Sequence, residues 1–192
     1  MKWIALDIGT KNTGYSIYIE KNNKPKLINH GFFSIRGQYA RDRFPGMLIK
    51  LTDLVHKEKP NFIVVESFYG GKNFKSVEYL AKLQGWVEGE CILGDYIFVP
   101  IAAQSWRKGC GMLTGRKKNN EKQSERTDYK LMARNFAISM TKDETMTEDE
   151  CDAICIGYGA YDYILSSLGN KAESQTKPKK KEKVATKKKK GK

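Results

Sequence analysis

Apolar and polar residues alternate along this chain with two different periods, and the segments with the short period predict five β-strands. The strands are predicted at residues 2–8, 13–20, 27–35, 62–65 and 96–101. Only short polar segments separate the first three, so we expect an antiparallel meander. The fourth is continuously apolar and leads into Glu66, which is typical of a strand covered on both faces. Pro100 favours an edge position or a strand end for the fifth, because proline cannot donate a backbone hydrogen bond.

Other apolar residues recur every three to four positions, which predicts amphipathic helices. The helices are predicted at residues 41–59, 75–93, 127–140 and 148–168. Pro45 lies near the start of the first helix, where proline is tolerated, and the Gly- and Lys-rich segment 109–126 predicts a loop. The order β-β-β-α-β-α-β-α-α is typical of an α/β fold with three layers, in which helices flank a mixed five-stranded sheet.

The charge of the chain is concentrated at one end. The 192 residues carry a net charge of +13, and residues 171–192 contain eleven lysines, two glutamates and almost no apolar side chains. We therefore expect a folded domain at residues 1–168 and a disordered Lys-rich tail at residues 169–192. Such a tail attracts phosphates by counterion release. The alternative is a tail that only increases solubility.

Composition argues against several classes of protein. The four cysteines show no C-x-x-C spacing and lie far from the two histidines, His30 and His56, so we expect no zinc site. The N-terminus shows no secretory signal. No apolar stretch approaches the ~20 residues of a membrane helix. We therefore expect a cytoplasmic protein with reduced thiols and no membrane partner.

Carboxylates next to apolar segments predict a site for divalent metal ions. Asp7 ends the first strand, Glu66 ends the fourth, and Asp149 and Asp152 are spaced to share one helical face. Mg²⁺ prefers carboxylate oxygens, and two such ions about 4 Å apart can promote phosphodiester hydrolysis. Three of them have a simpler interpretation alone: a turn for Asp7, a strand-end charge for Glu66 and a favourable helix N-terminus for Asp149. Asp152 is harder to explain in this way, because the residues around it are apolar. Their combination favours metal binding.

Four segments resemble RuvC-type Holliday junction resolvases, which belong to the RNase H-like superfamily. LDIGTKNTGYSI resembles the first strand, Asp-x-Gly turn and second strand of that family, and VVESFYGGKNFKSVEYLAKLQG resembles its second motif. DECDAICIGYGAY resembles the final Asp-x-x-Asp-Ala motif, and VPIAAQSWRKGCGMLTGRKK resembles the strand, basic residue and glycine-containing loop before it. The resemblance spans residues 2–165 and implies an RNase H-like fold.

The resemblance also implies roles for individual residues. The catalytic, metal-binding carboxylates of the family correspond to Asp7, Glu66, Asp149 and Asp152. The family's lysines near the scissile phosphate correspond best to Lys108 and Lys130, with Arg107, Lys117 and Lys118 as competing DNA-binding positions. The aromatic that contacts bases corresponds to Phe68 or Tyr69, with Lys72 and Asn73 following it. Ordinary packing is the alternative for the two aromatic rings.

The implied activity is that of a homodimer acting on branched DNA. Members of the family cut two opposite strands of a four-way junction, each by hydrolysis with Mg²⁺ or Mn²⁺, and leave paired nicks. We expect no small-molecule substrate. The Lys-rich tail and the diverged middle of the chain favour the phage- or poxvirus-like branch, whose members act in the host cytoplasm.

Other functions fit parts of the pattern. A related endonuclease could prefer forks or flaps to four-way junctions. A YqgF-type RNA-processing nuclease shares the first motif but has no reason for the Phe-Tyr…Lys-Asn segment. A DNA-binding protein without activity would be expected to lose carboxylates, and all four are present. Sugar kinases and actin-like ATPases begin with a similar Asp-x-Gly-Thr motif, but they need two such domains and a second glycine-rich motif.

Overall fold

A five-stranded mixed sheet lies at the centre of the structure. The computed structural model describes residues 1–67, 74–113 and 124–176. The strands are β1 (Lys2–Asp7), β2 (Asn12–Lys21), β3 (Lys24–Ser34), β4 (Phe62–Glu66) and β5 (Ile97–Ile101), in the spatial order β3-β2-β1-β4-β5. β1, β2 and β3 pair antiparallel, whereas β4 pairs parallel with both β1 and β5. The predicted meander, the mixed sheet and the edge position of Pro100 are confirmed.

Helices cover both faces of this sheet. They are α1 (Ala40–Glu58), α2 (Phe74–Leu93), α3 (Ala103–Gly109), α4 (Ser124–Thr141), α5 (Glu148–Gly159) and α6 (Tyr161–Thr176). α1 and α2 pack against Ile63 and Val65 of β4, and the other four helices cover the face that holds Phe62 and Val64. Side chains alternate between faces along a strand, so β4 is buried on both sides, as predicted. None of the helices described is both long enough and apolar enough to cross a membrane.

The helical prediction for the last third of the chain is wrong in two respects. The single helix predicted at 148–168 is two helices, α5 and α6, which meet at Ala160, and the pattern did not predict α3. α3 crosses the end of α5 so closely that a Cβ on Gly159 would lie 2.2 Å from the carbonyl oxygen of Trp106. The helix α5 therefore ends at the place where its backbone contacts α3, a segment distant in the sequence.

The last helix continues past residue 168, and the predicted domain boundary at that residue stays a prediction. α6 continues to Thr176. Residues 177–192 lie outside the described residues, so the disordered tail stays a prediction. Most of the predicted loop, at residues 114–123, also lies outside them.

Candidate active site

The ends of β1 and β4 bring two carboxylates together. These strands pair in parallel with Leu6 opposite Val65, so the next residues in register are Asp7 and Glu66. Alternation turns both side chains to the same face as Ala5, which is the face that packs against α5. Crevices at the carboxyl ends of parallel strands are common ligand sites. The strand register therefore supplies the convergence that the sequence predicts.

The first turn of α5 lies against the backbone of β2. A Cβ on Gly14 would lie 1.9 Å from the backbone oxygen of Asp149, so a side chain at this position would push the helix away. Gly14 pairs with Asp7 across the sheet, and the close approach therefore brings Asp149 towards Asp7. Three buried side chains of the sheet also donate to α5 carbonyls: Ser16 Oγ to Ala153 (2.7 Å), Tyr18 Oη to Ile154 (2.8 Å) and Trp3 Nε1 to Gly157 (2.8 Å).

The acidic residues at the start of α5 serve two different functions. Thr147 caps the helix, and its Oγ1 accepts a hydrogen bond from the backbone N–H of Glu150 at 3.2 Å. The Glu150 side chain is buried and lies 2.6 Å from Nδ1 of His30 on β3, which makes it structural. Asp149 and Asp152 share another face of the helix, near its N-terminus, where the positive end of the helix dipole favours negative charge.

Burial and mutual repulsion mark four carboxylates as one electrostatic group. The pKa of Asp7 lies well above its usual value, chiefly because the side chain is buried. Neighbouring negative charges raise it further, in the order Asp152, Glu66 and Asp149. Burial first and Glu66 second raise the pKa of Asp152 to about 6, and burial also raises the pKa of Glu66. Perturbed carboxylates that repel one another are typical of functional sites.

Two cations lie at the edge of this carboxylate group. Lys130 of α4 partly offsets the raised pKa of Asp7 and of Asp152. Arg107 of α3 has the same effect on the pKa of Glu66 and of Asp152. The two basic side chains therefore approach the carboxylates from different helices, and both act on Asp152.

Arg107 is held by aromatic rings. Its guanidinium carbon lies 4.9 Å from the ring centroid of Trp106 and 4.8 Å from that of Tyr129, both within cation–π range. Its Nε is buried and finds no hydrogen-bond partner among the described residues. The indole N–H of Trp106 lies close enough to lower the pKa of Glu66, yet Nε1 also lacks a partner with hydrogen-bond geometry. One of these two buried donors, the indole N–H of Trp106, therefore lies near Glu66.

The other predicted site residues lie elsewhere or outside the described chain. Lys108 lines a groove with Asp162 and Tyr163, between α3 and α6, and is not part of the carboxylate group. The structure thus brings Lys130 and Arg107 to the site, but not Lys108. The remaining predicted DNA-binding residues lie outside the described residues: Phe68, Tyr69, Lys72, Asn73, Lys117 and Lys118.

Sequence analysis missed three residues that build the site: Gly14, Trp106 and Tyr129. A glycine inside a predicted strand is a signal for close backbone approach, and Gly14 could have been found in that way. Trp106 and Tyr129 carry no such signal, because the sequence does not show that α3 and α4 bring both rings within contact of Arg107.

The donor set fits a hard divalent cation. Within residues 1–67, 74–113 and 124–176, no three His, Cys, Asp or Glu side chains converge closely enough to ligate a metal ion as they stand. Carboxylate oxygens are nevertheless the ligands that Mg²⁺ prefers, and a cation would relieve the repulsion that raises the pKa of Asp7.

Comparison with known proteins identifies the same segments. A family model described as crossover junction endodeoxyribonuclease RuvC matches residues 4–156. Two curated proteins of that name are similar. That of Bdellovibrio bacteriovorus is 30% identical over 110 residues, which cover 55% of this chain and 64% of the relative. That of Helicobacter pylori is 29% identical over 85 residues, which cover 44% of this chain and 54% of the relative. The matched stretches thus span less than two thirds of these relatives.

Solved structures show the same fold. T. thermophilus RuvC in complex with a Holliday junction substrate superposes with a TM-score of 0.66, at 12% identity, covering 87% of this chain and 98% of that one. The fowlpox virus resolvase in complex with Holliday junction DNA gives a TM-score of 0.55, at 16% identity, covering 86% and 99%. The predicted RNase H-like arrangement of sheet and helices is confirmed.

Proposed function

Because the chain belongs to the family of the crossover junction endodeoxyribonuclease RuvC, we propose that it is a structure-selective DNA endonuclease that resolves four-way junctions. The observation that carries the proposal is the group of four coupled carboxylates, Asp7, Glu66, Asp149 and Asp152. All four lie within the matched residues 4–156. Metal-dependent hydrolysis of one phosphodiester in each of two opposite strands would leave paired nicks.

The four carboxylates would hold Mg²⁺, with Mn²⁺ as a substitute. Bound ions would supply positive charge for the oxygen of the attacking water and for the leaving oxygen of the phosphodiester. The chain itself contributes orientation. Paired strands fix the backbones of Asp7 and Glu66, and the capped first turn of α5 fixes those of Asp149 and Asp152. All four carboxylates are only partly buried, so the group remains accessible to substrate and water.

Lys130 and Arg107 are the proposed ligands of the phosphate that is cut. Each lies close enough to the carboxylates to affect their pKa values. A guanidinium offers a planar set of donors that matches phosphate geometry, and the two rings around Arg107 restrict its orientation. Lys108 lines a different groove, so we do not assign it this role.

A homodimer is the proposed assembly, since a four-way junction presents two strands to be cut. Ile92 and Leu93 on α2 are 76% and 84% exposed, and a Cβ at Gly85 or Gly89 would meet nothing within 4 Å. Glycine inside a helix lowers helix stability by roughly 1 kcal/mol relative to alanine. No contact within the described residues requires glycine at position 85 or 89. The spacing of the four residues places them on one face. Close packing of a second α2 there would account for them.

The test is a cleavage assay with Mg²⁺ on a four-way junction, a fork, a linear duplex and an RNA stem-loop. We expect paired symmetric nicks on the four-way junction. Asp7→Asn should still bind the junction but not cut it, because it removes a charged metal ligand and leaves the basic surface intact. Asp53→Asn makes the same chemical change at an exposed position of α1 and should cut like the wild type.

Each substrate distinguishes an alternative. Cutting mainly of forks would make the protein a general branched-DNA endonuclease, and cutting of RNA would favour a YqgF-type nuclease. Retained cutting by Asp7→Asn would overturn the assignment of the site. A protein that binds but cuts nothing would be a DNA-binding member of the family.

A further inference from the structure

A groove of about 650 Å³ lies between the start of α1 and the second turn of α2. It is lined by Thr10, Tyr39, Arg41, Arg43, Glu78 and Tyr79, among others. Thr10 follows Asp7 by three residues, in the turn after β1, so the groove begins near the carboxylate group. It opens on the other face of the sheet, the one covered by α1 and α2. The proposed nuclease chemistry does not use this groove.

The groove is preformed by hydrogen bonds and ring contacts. Arg43 Nε donates to the carbonyl oxygen of Thr10 at 3.1 Å, and its Nη1 donates to that of Gly37 at 2.7 Å. The first bond fastens the turn after β1 to the first turn of α1, and the second fastens the segment between β3 and α1 to the same turn. On the opposite wall, the ring of Tyr79 meets the edge of Phe44 with centroids 5.9 Å apart. Both walls are therefore held in place by the chain itself.

An exposed ring and an exposed cation lie together at the mouth of the groove. The Tyr39 ring belongs to a residue that is 53% exposed, and the guanidinium carbon of Arg41 lies 5.2 Å from its centroid. The Arg41 side chain is 72% exposed and has one nearby carboxylate, Asp42, at 3.5 Å. The mouth of the groove therefore presents an exposed aromatic ring beside a largely exposed guanidinium group.

The charge of the groove is positive. Its one acidic lining residue, Glu78, pairs with Lys82 at 2.5 Å, and the carboxylate of Asp42 also accepts a hydrogen bond from the backbone N–H of Tyr39 at 3.1 Å. Arg41 and Arg43 both line the groove. An aromatic face beside guanidinium groups matches a nucleotide, which offers a planar base to stack and a phosphate to bind.

We infer that the groove between α1 and α2 is a second DNA-binding surface, which holds an unpaired nucleotide of the branched substrate with its base on Tyr39 and its phosphate at Arg41. This inference rests on the proposed function, because the substrate must be DNA that is cut nearby. The groove size suits a single nucleotide, since pockets of several hundred Å³ hold ligands of that size. It also adds a contact that distinguishes branched DNA, where bases are unpaired, from a regular duplex.

The test measures DNA binding by the full chain without divalent ions, using fluorescence anisotropy at several salt concentrations. The probes are a four-way junction and single-stranded oligothymidine. Arg41→Gln should lower affinity for both about tenfold and reduce the log–log salt slope by about one, since one phosphate contact is lost. Lys57→Gln, at an exposed position near the other end of α1, makes a matched charge change and should leave both quantities unchanged.

Stacking is tested separately from charge. Tyr39→Ala should lower affinity about tenfold with an unchanged salt slope, whereas Tyr39→Phe should bind like the wild type, because phenylalanine keeps the ring. Thermal unfolding of each variant checks that α1, which begins after Tyr39, remains folded. Oligothymidine with photoreactive bases should crosslink to Tyr39 in the wild type.

Two results would overturn the inference. Arg41→Gln and Lys57→Gln could give the same affinity and the same salt slope. Alternatively, an oligoglutamate peptide could displace oligothymidine at equal charge concentration, which would make the groove a site for acidic protein. Binding is measured without cleavage, so the two proposals fail separately. If the protein cuts junctions but the groove variants bind DNA like the wild type, only the DNA-binding role of the groove is refuted. If the groove variants lose affinity but the wild type cuts nothing, only the nuclease activity is refuted.

Discussion

Replacing Gly14 by alanine tests how the position of α5 controls the site. The new Cβ would lie 1.9 Å from the backbone oxygen of Asp149 and 2.3 Å from its carbonyl carbon, whereas ordinary contacts begin at 3.4 Å. Both atoms are backbone, so no side-chain rotation can relieve the overlap. The first turn of α5 must move away from β2, and it carries Asp149 and Asp152 with it. A misplacement of about 1 Å costs about 100-fold in rate when reacting groups must be aligned.

We therefore expect Gly14→Ala to cut a four-way junction about 100-fold more slowly than the wild type under single-turnover conditions. Junction binding should change little, because the basic side chains are untouched. Overpacking of this kind destabilises a core by about 2 kcal/mol, which corresponds to a Tm lower by about 4–8 °C for a chain of this size. Cleavage rates at saturating junction and thermal unfolding curves measure the two effects.

A matched control lies on the neighbouring strand. A Cβ on Gly31 would meet only side-chain atoms of Tyr15, the nearest being the hydroxyl oxygen at 2.6 Å. Since that side chain can rotate, Gly31→Ala should cut at close to the wild-type rate. Gly14→Ala cutting as fast as Gly31→Ala would refute the argument that close packing of α5 on β2 sets the geometry of the carboxylates.

Four other outcomes are expected. Without metal, the Tm should fall as pH rises from about 4 to above 6. The reason is that the Asp152 side chain keeps its proton to about pH 6 in the folded protein but loses it near 3.8 in the unfolded chain. Asp152→Asn should reduce this decline in Tm. Lys130→Gln should slow single-turnover cleavage about 100-fold. Thr147→Ala should lower the unfolding free energy by about 1 kcal/mol in urea titrations. Deleting residues 177–192, which leaves α6 whole, should weaken the salt dependence of junction binding.

Each of these outcomes can be contradicted by its own measurement. A Tm decline with pH that is the same in Asp152→Asn would show that another group causes it. Wild-type cleavage by Lys130→Gln would remove that residue from phosphate binding. An unchanged urea midpoint for Thr147→Ala would show that the cap is dispensable, and an unchanged salt slope would show that the tail does not contact DNA.

Local patterns predicted the sheet well because its strands are buried in simple ways. β4 is continuously apolar, and both of its faces are covered; β5 contains Pro100 and lies at the edge. The break between α5 and α6 could not be predicted in the same way. Gly157, Gly159 and Ala160 are compatible with a continuing helix, and α5 ends where α3 crosses it, which is a contact between distant parts of the chain.

The carboxylates were predicted better than the basic residues. Asp7 and Glu66 each end an apolar strand, and parallel pairing places such ends side by side. Arg107 and Lys108 are adjacent on α3, and adjacent helical residues do not share a face. Sequence alone could not decide which of them turns to the carboxylates and which to α6. The phage- or poxvirus-like branch of the family stays a prediction.

The hydrogen bonds that fasten α5 to the sheet also set the order in which the domain can be completed. Trp3 and Gly157 are 154 positions apart in the chain, and Ser16 and Ala153 are 137 apart. During synthesis the N-terminal strands leave the ribosome first, and contacts of such long sequence separation form late. A ribosome that stalls before residue 149 would release a fragment with two of the four carboxylates. The proposed nuclease site is therefore complete only when almost the whole domain has been made.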